Sequence, residues 1–111
     1  MRNTVGSVGE SLRGDVRRCA ALSEILKAVA HPMRMRIVAI LCQGPENVGD
    51  LAQKMGCRQA AVSQQLRILR THKLVAAERR DGFARYSLAE PRLRDLIRCM
   101  EGCPSGGSIV R

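Results

Sequence analysis

Tryptophan is missing from this 111-residue sequence, which contains one Phe and one Tyr. Single-strand nucleic-acid binders stack bases on aromatic side chains, so this mode of binding is nearly excluded. No uninterrupted apolar run approaches the ~20 residues that a membrane-spanning helix needs. The only histidines are His31 and His72, which disfavours a zinc or nickel site built from His and Asp ligands. We therefore expect a soluble protein with no membrane partner and no catalytic metal.

Features of an exported protein are also lacking. Residues 1–14 are rich in Gly, Ser and Arg and have no apolar core, so they resemble neither a secretory signal nor an anchor. The five cysteines are odd in number and irregularly spaced, which argues against a disulfide scaffold. We therefore expect reduced thiols, a cytoplasmic location, and flexible tails over residues 1–14 and 104–111.

Positive charge is what the sequence has in excess, with 19 Lys and Arg against 10 Asp and Glu and a net charge of +9. Such a charge attracts phosphate-rich partners, because each neutralised phosphate releases counterions. A domain this small buries only part of its apolar surface, so pairing of two copies would stabilise it. Residues 15–103 are therefore predicted to form one domain that binds double-stranded DNA as a homodimer.

Apolar residues at three- and four-residue spacing predict two helices in the first half of the chain. The first begins at Asp15 and carries an apolar stripe of Val16, Cys19, Leu22, Ile25, Leu26 and Val29. Pro32 suits the first turn of the second helix, and Gly44 and Pro45 end it. His31, which precedes Pro32, is interpreted as a structural cap and not as a ligand.

The middle of the chain predicts a helix-turn-helix. A short third helix runs from about Val48 to Met55 after a capping Asn47, and Gly56 ends it with a positive φ. A fourth helix follows from about Arg58 to Thr71, with Val62, Leu66 and Leu69 on its apolar face. Two helices joined by a tight turn that contains glycine form this DNA-binding motif.

A β-hairpin and a last helix complete the domain. Strands are predicted over Leu74–Arg79 and Phe83–Leu88, because Asp81-Gly82 is a strong signal for a hairpin turn. Pro91 begins the last helix, whose apolar stripe consists of Leu93, Leu96, Ile97 and Met100.

The polar face of the fourth helix has the chemistry of duplex recognition. Gln can pair with adenine, Arg can bridge guanine, and a small Ala lets a helix approach a thymine methyl group. Between residues 58 and 87, seven basic residues stand against two acidic ones. The predicted DNA-binding residues are Arg58, Gln59, Ala60, Ser63, Gln64 and Arg67 on the helix and Arg80 and Arg85 on the hairpin. Gln65 and Arg70 are left open as surface or contact residues.

Three motifs together resemble the ArsR/SmtB family of winged-helix repressors. They are the segment His31-Pro32-Met33-Arg34-Met35-Arg36-Ile37, the segment Val48-Gly49-Asp50-Leu51-Ala52, and the segment Gln59-Ala60-Ala61-Val62-Ser63-Gln64-Gln65-Leu66. The resemblance implies a mainly α winged helix-turn-helix with a small β-hairpin, in the order of two helices, a short strand, two helices, the hairpin wing and a fifth helix. It also implies a homodimer through the terminal helices and a repressor that an inducer releases from its operator. Lys73 stands where the family usually has Gly, so a less regular turn into the wing is expected.

The cysteines are the candidate sensing residues. Cys99 and Cys103 are four residues apart and share one helix face, so their thiols can hold one ligand or react with one oxidant. The resemblance places Cys19 near them, in the terminal-helix interface, and three thiolates there could hold trivalent arsenic or another soft ion. Persulfide and peroxide remain alternative inducers. Cys42 ranks behind these three, since Ala39 stands at the second-helix position of the family's sulfur sensors.

Two other classes of function are weighed against this one. An architectural DNA-binding protein without an effector would have the same basic face. An enzyme is not expected, because the sequence has no nucleophile-base pair, carboxylate dyad or phosphate-binding loop. No obligatory cofactor is expected, and arsenite or a soft metal ion would bind as an inducer.

Overall fold

The computed structural model describes residues 12–102 and contains, after the helical residues 12–14, five helices and three short strands. The helices and strands follow one another in the order implied by the resemblance, with a short strand before the helix-turn-helix. Their bounds are α1 Val16–Val29, α2 Pro32–Leu41, β1 Glu46–Asn47, α3 Val48–Met55, α4 Gln59–Thr71, β2 Val75–Arg80, β3 Phe83–Leu88 and α5 Pro91–Glu101. The expected mainly α fold with a small antiparallel sheet is confirmed.

The three strands form one antiparallel sheet in the order β1-β3-β2. The β2–β3 hairpin pairs Arg80 with Phe83 next to the turn, and β1 joins its other edge by pairing Glu46 with Tyr86. Asp81 and Gly82 have φ angles of 51° and 83°, the signs required by the two-residue turn that matches the twist of a hairpin. The predicted hairpin is confirmed, with β2 starting one residue later than expected.

One apolar core joins all five helices to the sheet. Val62, Leu66 and Leu69 of α4 are at most 1% exposed, which confirms the predicted apolar face. Their neighbours in the core come from every other helix and from the start of the hairpin, and include Val29, Ile37, Val38, Leu41, Leu51, Leu74, Leu93 and Ile97. The core fixes the rotation of α4 about its own axis, so its polar face is held outward.

Side-chain caps set the starts of the helices. The Asn47 side-chain oxygen accepts a hydrogen bond from the Asp50 amide at 2.7 Å at the start of α3. His31 Nδ1 accepts from the Met33 amide at 3.2 Å at the start of α2, which confirms its predicted role as a cap. Each cap satisfies an amide that has no partner inside its helix.

The ends of α3 and α4 have the same backbone geometry with different residues at the critical position. At the end of α3, Gly56 has a φ of 66°, as predicted, and the Cys57 amide donates to the Ala52 carbonyl at 3.0 Å. At the end of α4, Lys73 has a φ of 60°, and the Leu74 amide donates to the Leu69 carbonyl at 3.0 Å. Both are Schellman ends. The irregular turn expected at Lys73 is therefore wrong: the motif is regular, and a lysine occupies a conformation that favours glycine.

Helix α1 leaves most of its apolar stripe uncovered. Of its 14 residues only Ala28 and Val29 are buried. Val16 is 81% exposed and Leu26 is 51% exposed. Residues 12–14, inside the segment predicted as a tail, are helical. Between residues 12 and 102, every helix is too short or too polar to span a bilayer.

Candidate nucleic-acid interface

The outer face of α4 presents a row of polar and basic side chains. Five of the six predicted contact residues of this segment are exposed, and Ser63 is half-buried. They are Arg58, which is the N-cap residue, and Gln59, Ala60, Ser63, Gln64 and Arg67. The structure therefore places this predicted set together on one accessible helix face.

Gln65, which the sequence left undecided between a surface and a DNA-contact role, makes a hydrogen bond within the protein. It is half-buried, and its Oε1 accepts a hydrogen bond from the Arg34 guanidinium at 3.0 Å. The Nε of Arg34 donates to the Ala28 carbonyl at 2.6 Å. Arg34 thus links the end of α1 to the middle of α4, and Gln65 positions the helix. Arg70 is exposed in the last turn of α4.

The hairpin extends the basic surface beyond α4. Arg80 and Arg85 are exposed, and Arg80 pairs with Glu78 at 3.2 Å in an ion pair whose side chains are 62% and 67% exposed. Ion pairs in water contribute little, so this one can exchange Glu78 for a phosphate group. The Arg79 guanidinium donates to the Gly82 carbonyl at 3.0 Å and braces the turn.

A cleft of about 420 Å³ separates the start of α4 from the hairpin. Gln59 and Ser63 line one side, and Arg79 and Phe83 line the other. Of the predicted DNA-binding residues, Gln59 and Ser63 line this depression, whereas the hairpin residues Arg80 and Arg85 are not part of its lining. Arg79 and Phe83 were not among the predicted site residues, although their positions next to the Asp-Gly turn indicated that they would lie at the hairpin tip.

Comparison with known proteins gives the same assignment. Residues 31–77 match the profile of the family described as "Bacterial regulatory protein, arsR family". The chain is 39% identical over 83 residues to the HTH-type transcriptional regulator NmtR of Mycobacterium tuberculosis, covering 75% of this chain and 69% of the relative. It is 36% identical to the biofilm growth-associated repressor of Agrobacterium fabrum, covering 76% and 72% of the two chains. The chain belongs to the ArsR family.

A solved structure of the family agrees with the fold. The transcriptional repressor BigR from Xylella fastidiosa superposes with a TM-score of 0.72 and is 32% identical, covering 76% of this chain and 86% of that one. This ArsR-family protein is accordingly a DNA-binding transcriptional repressor of the winged-helix type. Its α4 and β2–β3 hairpin are the recognition helix and the wing of that fold.

The four described cysteines of this ArsR-family chain fall into two classes. Cys19 and Cys99 are exposed, and the Cys19 thiol donates to the Leu12 carbonyl at 3.0 Å. Cys42 and Cys57 are half-buried and pack against the core. Cys103, which was predicted to pair with Cys99, lies outside the described residues.

Cys42 lies against one face of α5. The pKa of its thiol is raised, mainly because burial disfavours the charged thiolate. Arg94 and Arg98 oppose this shift, and Glu101 adds to it. The Arg94 guanidinium also donates to the Cys42 carbonyl oxygen. Cys99 follows Arg98 by one residue and therefore points about 100° away around the helix. The structure places Cys42 on a face of α5 that Cys99 does not share.

Metal ligands are dispersed in the part of the fold that the structure describes. Within residues 12–102, no three His, Cys, Asp or Glu side chains converge to hold a metal ion. The predicted set of three thiols includes Cys103, which is outside these residues, and thiols that a second copy of the chain would contribute in a dimer. It therefore stays a prediction.

Proposed function

We propose that the chain acts as a homodimeric repressor that holds a palindromic operator and leaves it when a thiophilic inducer reacts with its exposed cysteines. The single observation that carries the proposal is the outward polar face of α4 beside the basic wing. The core holds Val62, Leu66 and Leu69 inward, so the Gln and Arg side chains of the opposite face are free for base edges. Arg80 and Arg85 would contact phosphates or the minor groove and position the protein.

Dimerisation is supported by the uncovered flank of α1 and α5. Val16 and Leu26 are exposed on α1, and a groove of about 270 Å³ runs between α1 and α5. Its lining is apolar apart from Arg92 and Asp95, and includes Leu22, Ile25 and Leu96. Burial of this surface against a second copy would stabilise a small domain, since each apolar Å² removed from water contributes roughly 25 cal/mol. Two copies related by a twofold axis would present two α4 helices to successive major grooves.

The exposed thiols lie on the same flank. Cys19 is three residues before Leu22 and seven before Leu26, so it shares their face of α1. Cys99 is three residues after Leu96, which lines the groove, and Cys103 follows four residues later in the sequence, outside the described residues. A ligand held by these thiols would change the contact between the two copies, and with it the spacing of the two recognition helices. Cys42, half-buried and with a raised pKa, is the weaker nucleophile.

Trivalent arsenic or another soft ion is slightly favoured as the inducer. Each thiol that binds arsenous acid replaces one hydroxyl group and releases one water, so three thiols bind without electron transfer. The alternative is oxidation, in which peroxide takes two electrons from two thiols and gives a disulfide and two waters. A persulfide donor instead passes its outer sulfur to each thiol and leaves as a thiol, and the two protein persulfides then condense to a trisulfide and release hydrogen sulfide. These alternatives differ in the mass of the product.

The inducer is tested on the full chain with the duplex that it enriches from a random pool. Fluorescence anisotropy follows release of that duplex during separate exposure to arsenite, a persulfide donor and peroxide, and mass spectrometry identifies the adduct. We expect release that Cys99→Ser/Cys103→Ser abolishes and that the matched variant Cys57→Ser retains. A double variant that responds like the parent would show that the sensing site is wrong. Indifference of the parent to every inducer would indicate an architectural protein without an effector.

The DNA interface is tested by two substitutions with different expected signatures. Gln64→Ala should relax the choice among duplexes, because it removes a base contact. Arg80→Ala should weaken binding to all duplexes and lower the salt slope of binding by about 1, because it removes one phosphate contact. Binding of both variants equal to that of the parent would contradict the interface.

A further inference from the structure

Phe83 is the sole phenylalanine of the chain, and 66% of its surface is exposed. The other large exposed apolar residues of the described chain belong to α1, α2, α5 or the helical residues 12–14 before α1. Tyr86, three residues further along β3, is half-buried and packs against the core. Phe83 is therefore separate from both the core and the proposed dimer flank.

The hairpin tip holds Phe83 in a defined position. Phe83 is the first residue of β3 and pairs with Arg80 directly across the turn. Asp81 and Gly82 close that turn with positive φ angles, and the bond from Arg79 to the Gly82 carbonyl restrains it. The backbone at this point is already ordered, so a partner that covers the ring has only the side chain to immobilise.

The surroundings of Phe83 fit duplex DNA. Gln59 and Ser63 of α4 lie across the cleft that Phe83 lines. Arg80 is its cross-strand neighbour, and Arg85 is two residues along the same strand face. A partner that covers the ring must also accept the positive charge of Arg80 and Arg85, which the phosphates of DNA do.

We propose that Phe83 is a non-ionic DNA contact that packs on deoxyribose and base edges of the minor groove while α4 occupies the adjacent major groove. The inference rests on the proposed function, which places α4 in the major groove. Apolar side chains of this kind are used at minor-groove surfaces, where they cover sugars or enter base steps. Phe83 would add binding free energy that releases no counterion, whereas Arg80 beside it adds a salt-dependent contribution.

The test compares Phe83→Ala, Phe83→Leu and Arg80→Ala in the full chain, with anisotropy titrations of the enriched duplex at several salt concentrations. We expect Phe83→Ala to bind roughly tenfold more weakly, as partial burial of an aromatic ring implies. Its salt slope should equal that of the parent, while Arg80→Ala has a smaller slope. Phe83→Leu should retain most of the affinity. Met35→Ala, which truncates another exposed apolar side chain on α2, should bind like the parent.

Two results would overturn the inference. Parental affinity of Phe83→Ala would show that the ring does not touch DNA, and a weaker dimer in sedimentation equilibrium would assign it to a protein contact. Either result leaves the proposed function standing as long as the parent binds the duplex. Failure of the parent to bind any duplex would instead remove the proposed function itself.

Discussion

Two surfaces of this small domain differ in how much of their apolar side chains they bury. On the DNA-facing side, α4 buries Val62, Leu66 and Leu69 almost completely and presents polar side chains outward. On the opposite flank, α1 buries only Ala28 and Val29 and leaves Leu26 half in water. The apolar face of α4 is fully buried within one chain, whereas α1 leaves apolar surface that a partner could cover. The comparison separates the surface proposed to bind DNA from the surface proposed to bind a second copy of the chain.

The largest expected effect comes from a charge on the flank. Leu26→Glu would place a carboxylate in the proposed dimer contact, so we expect a monomer in sedimentation equilibrium. Loss of the second half-site contact should weaken operator binding roughly 100-fold or more. Arg17→Glu makes a larger charge change at an exposed position about 180° around α1 from Leu26 and about 100° from Val16, and should remain dimeric. A Leu26→Glu variant that stays dimeric would remove the flank from the interface.

A second test removes the hydrogen bonds by which Arg34 connects α1 to α4. Arg34→Ala removes the bonds to Ala28 and Gln65 and should lower the free energy of unfolding by about 2 kcal/mol, the usual scale for a charged hydrogen bond. Arg36→Ala is the matched control, because Arg36 makes one longer bond of 3.3 Å to the Met55 carbonyl. Urea unfolding of the three proteins checks the order. An equal decrease in the free energy of unfolding for both variants would show that Arg34 contributes no more to stability than Arg36.

A third test exploits the two equivalent helix ends. Lys73→Gly should raise the free energy of unfolding by about 1 kcal/mol, because glycine adopts a φ of 60° without a Cβ penalty. Gly56→Lys at the matching end of α3 should lower it by a similar amount. Thermal unfolding monitored by circular dichroism measures both, and changes of the opposite sign would refute the comparison of the two ends.

The smallest effect concerns pH. Hydrogen bonds from Arg92 lower the pKa of Glu90, whose carboxylate caps α5. A carboxylate with a lowered pKa in the folded state stabilises the fold above its ordinary pKa, and this contribution is lost as pH falls through the lowered value. We expect Glu90→Gln to have a shallower fall in Tm than the parent between neutral and strongly acidic pH. Parallel curves would contradict the cap.

Local sequence rules predicted most of the DNA-facing side. The apolar spacing of α4, the caps at His31 and Asn47, and the Asp81-Gly82 turn are decided by neighbouring residues, so they could be inferred without a structure. The role of Gln65 could not, because its partner Arg34 lies 31 residues away in the chain. The expectation at Lys73 failed because tertiary context holds a lysine in a conformation that its own propensity disfavours.

The sensing site was harder to predict for a related reason. Spacing along one helix predicts a common face for Cys99 and Cys103, but it gives no position for Cys19 or Cys42 relative to them. Packing of α2 on α5 decides that Cys42 faces Arg94 and Arg98. Contacts between two copies of the chain would decide the partner of Cys19.

Methylation protection of guanine N7 on the enriched duplex tests the central claim most directly, since N7 lies in the major groove. If α4 of each subunit enters that groove, the parent should protect guanines in two symmetric half-sites about one helical turn, ~10 base pairs, or a multiple of it apart. Gln64→Ala should alter the preferred half-site sequence and keep the spacing. Tight binding without any protected guanine N7 in a guanine-containing half-site would contradict the account.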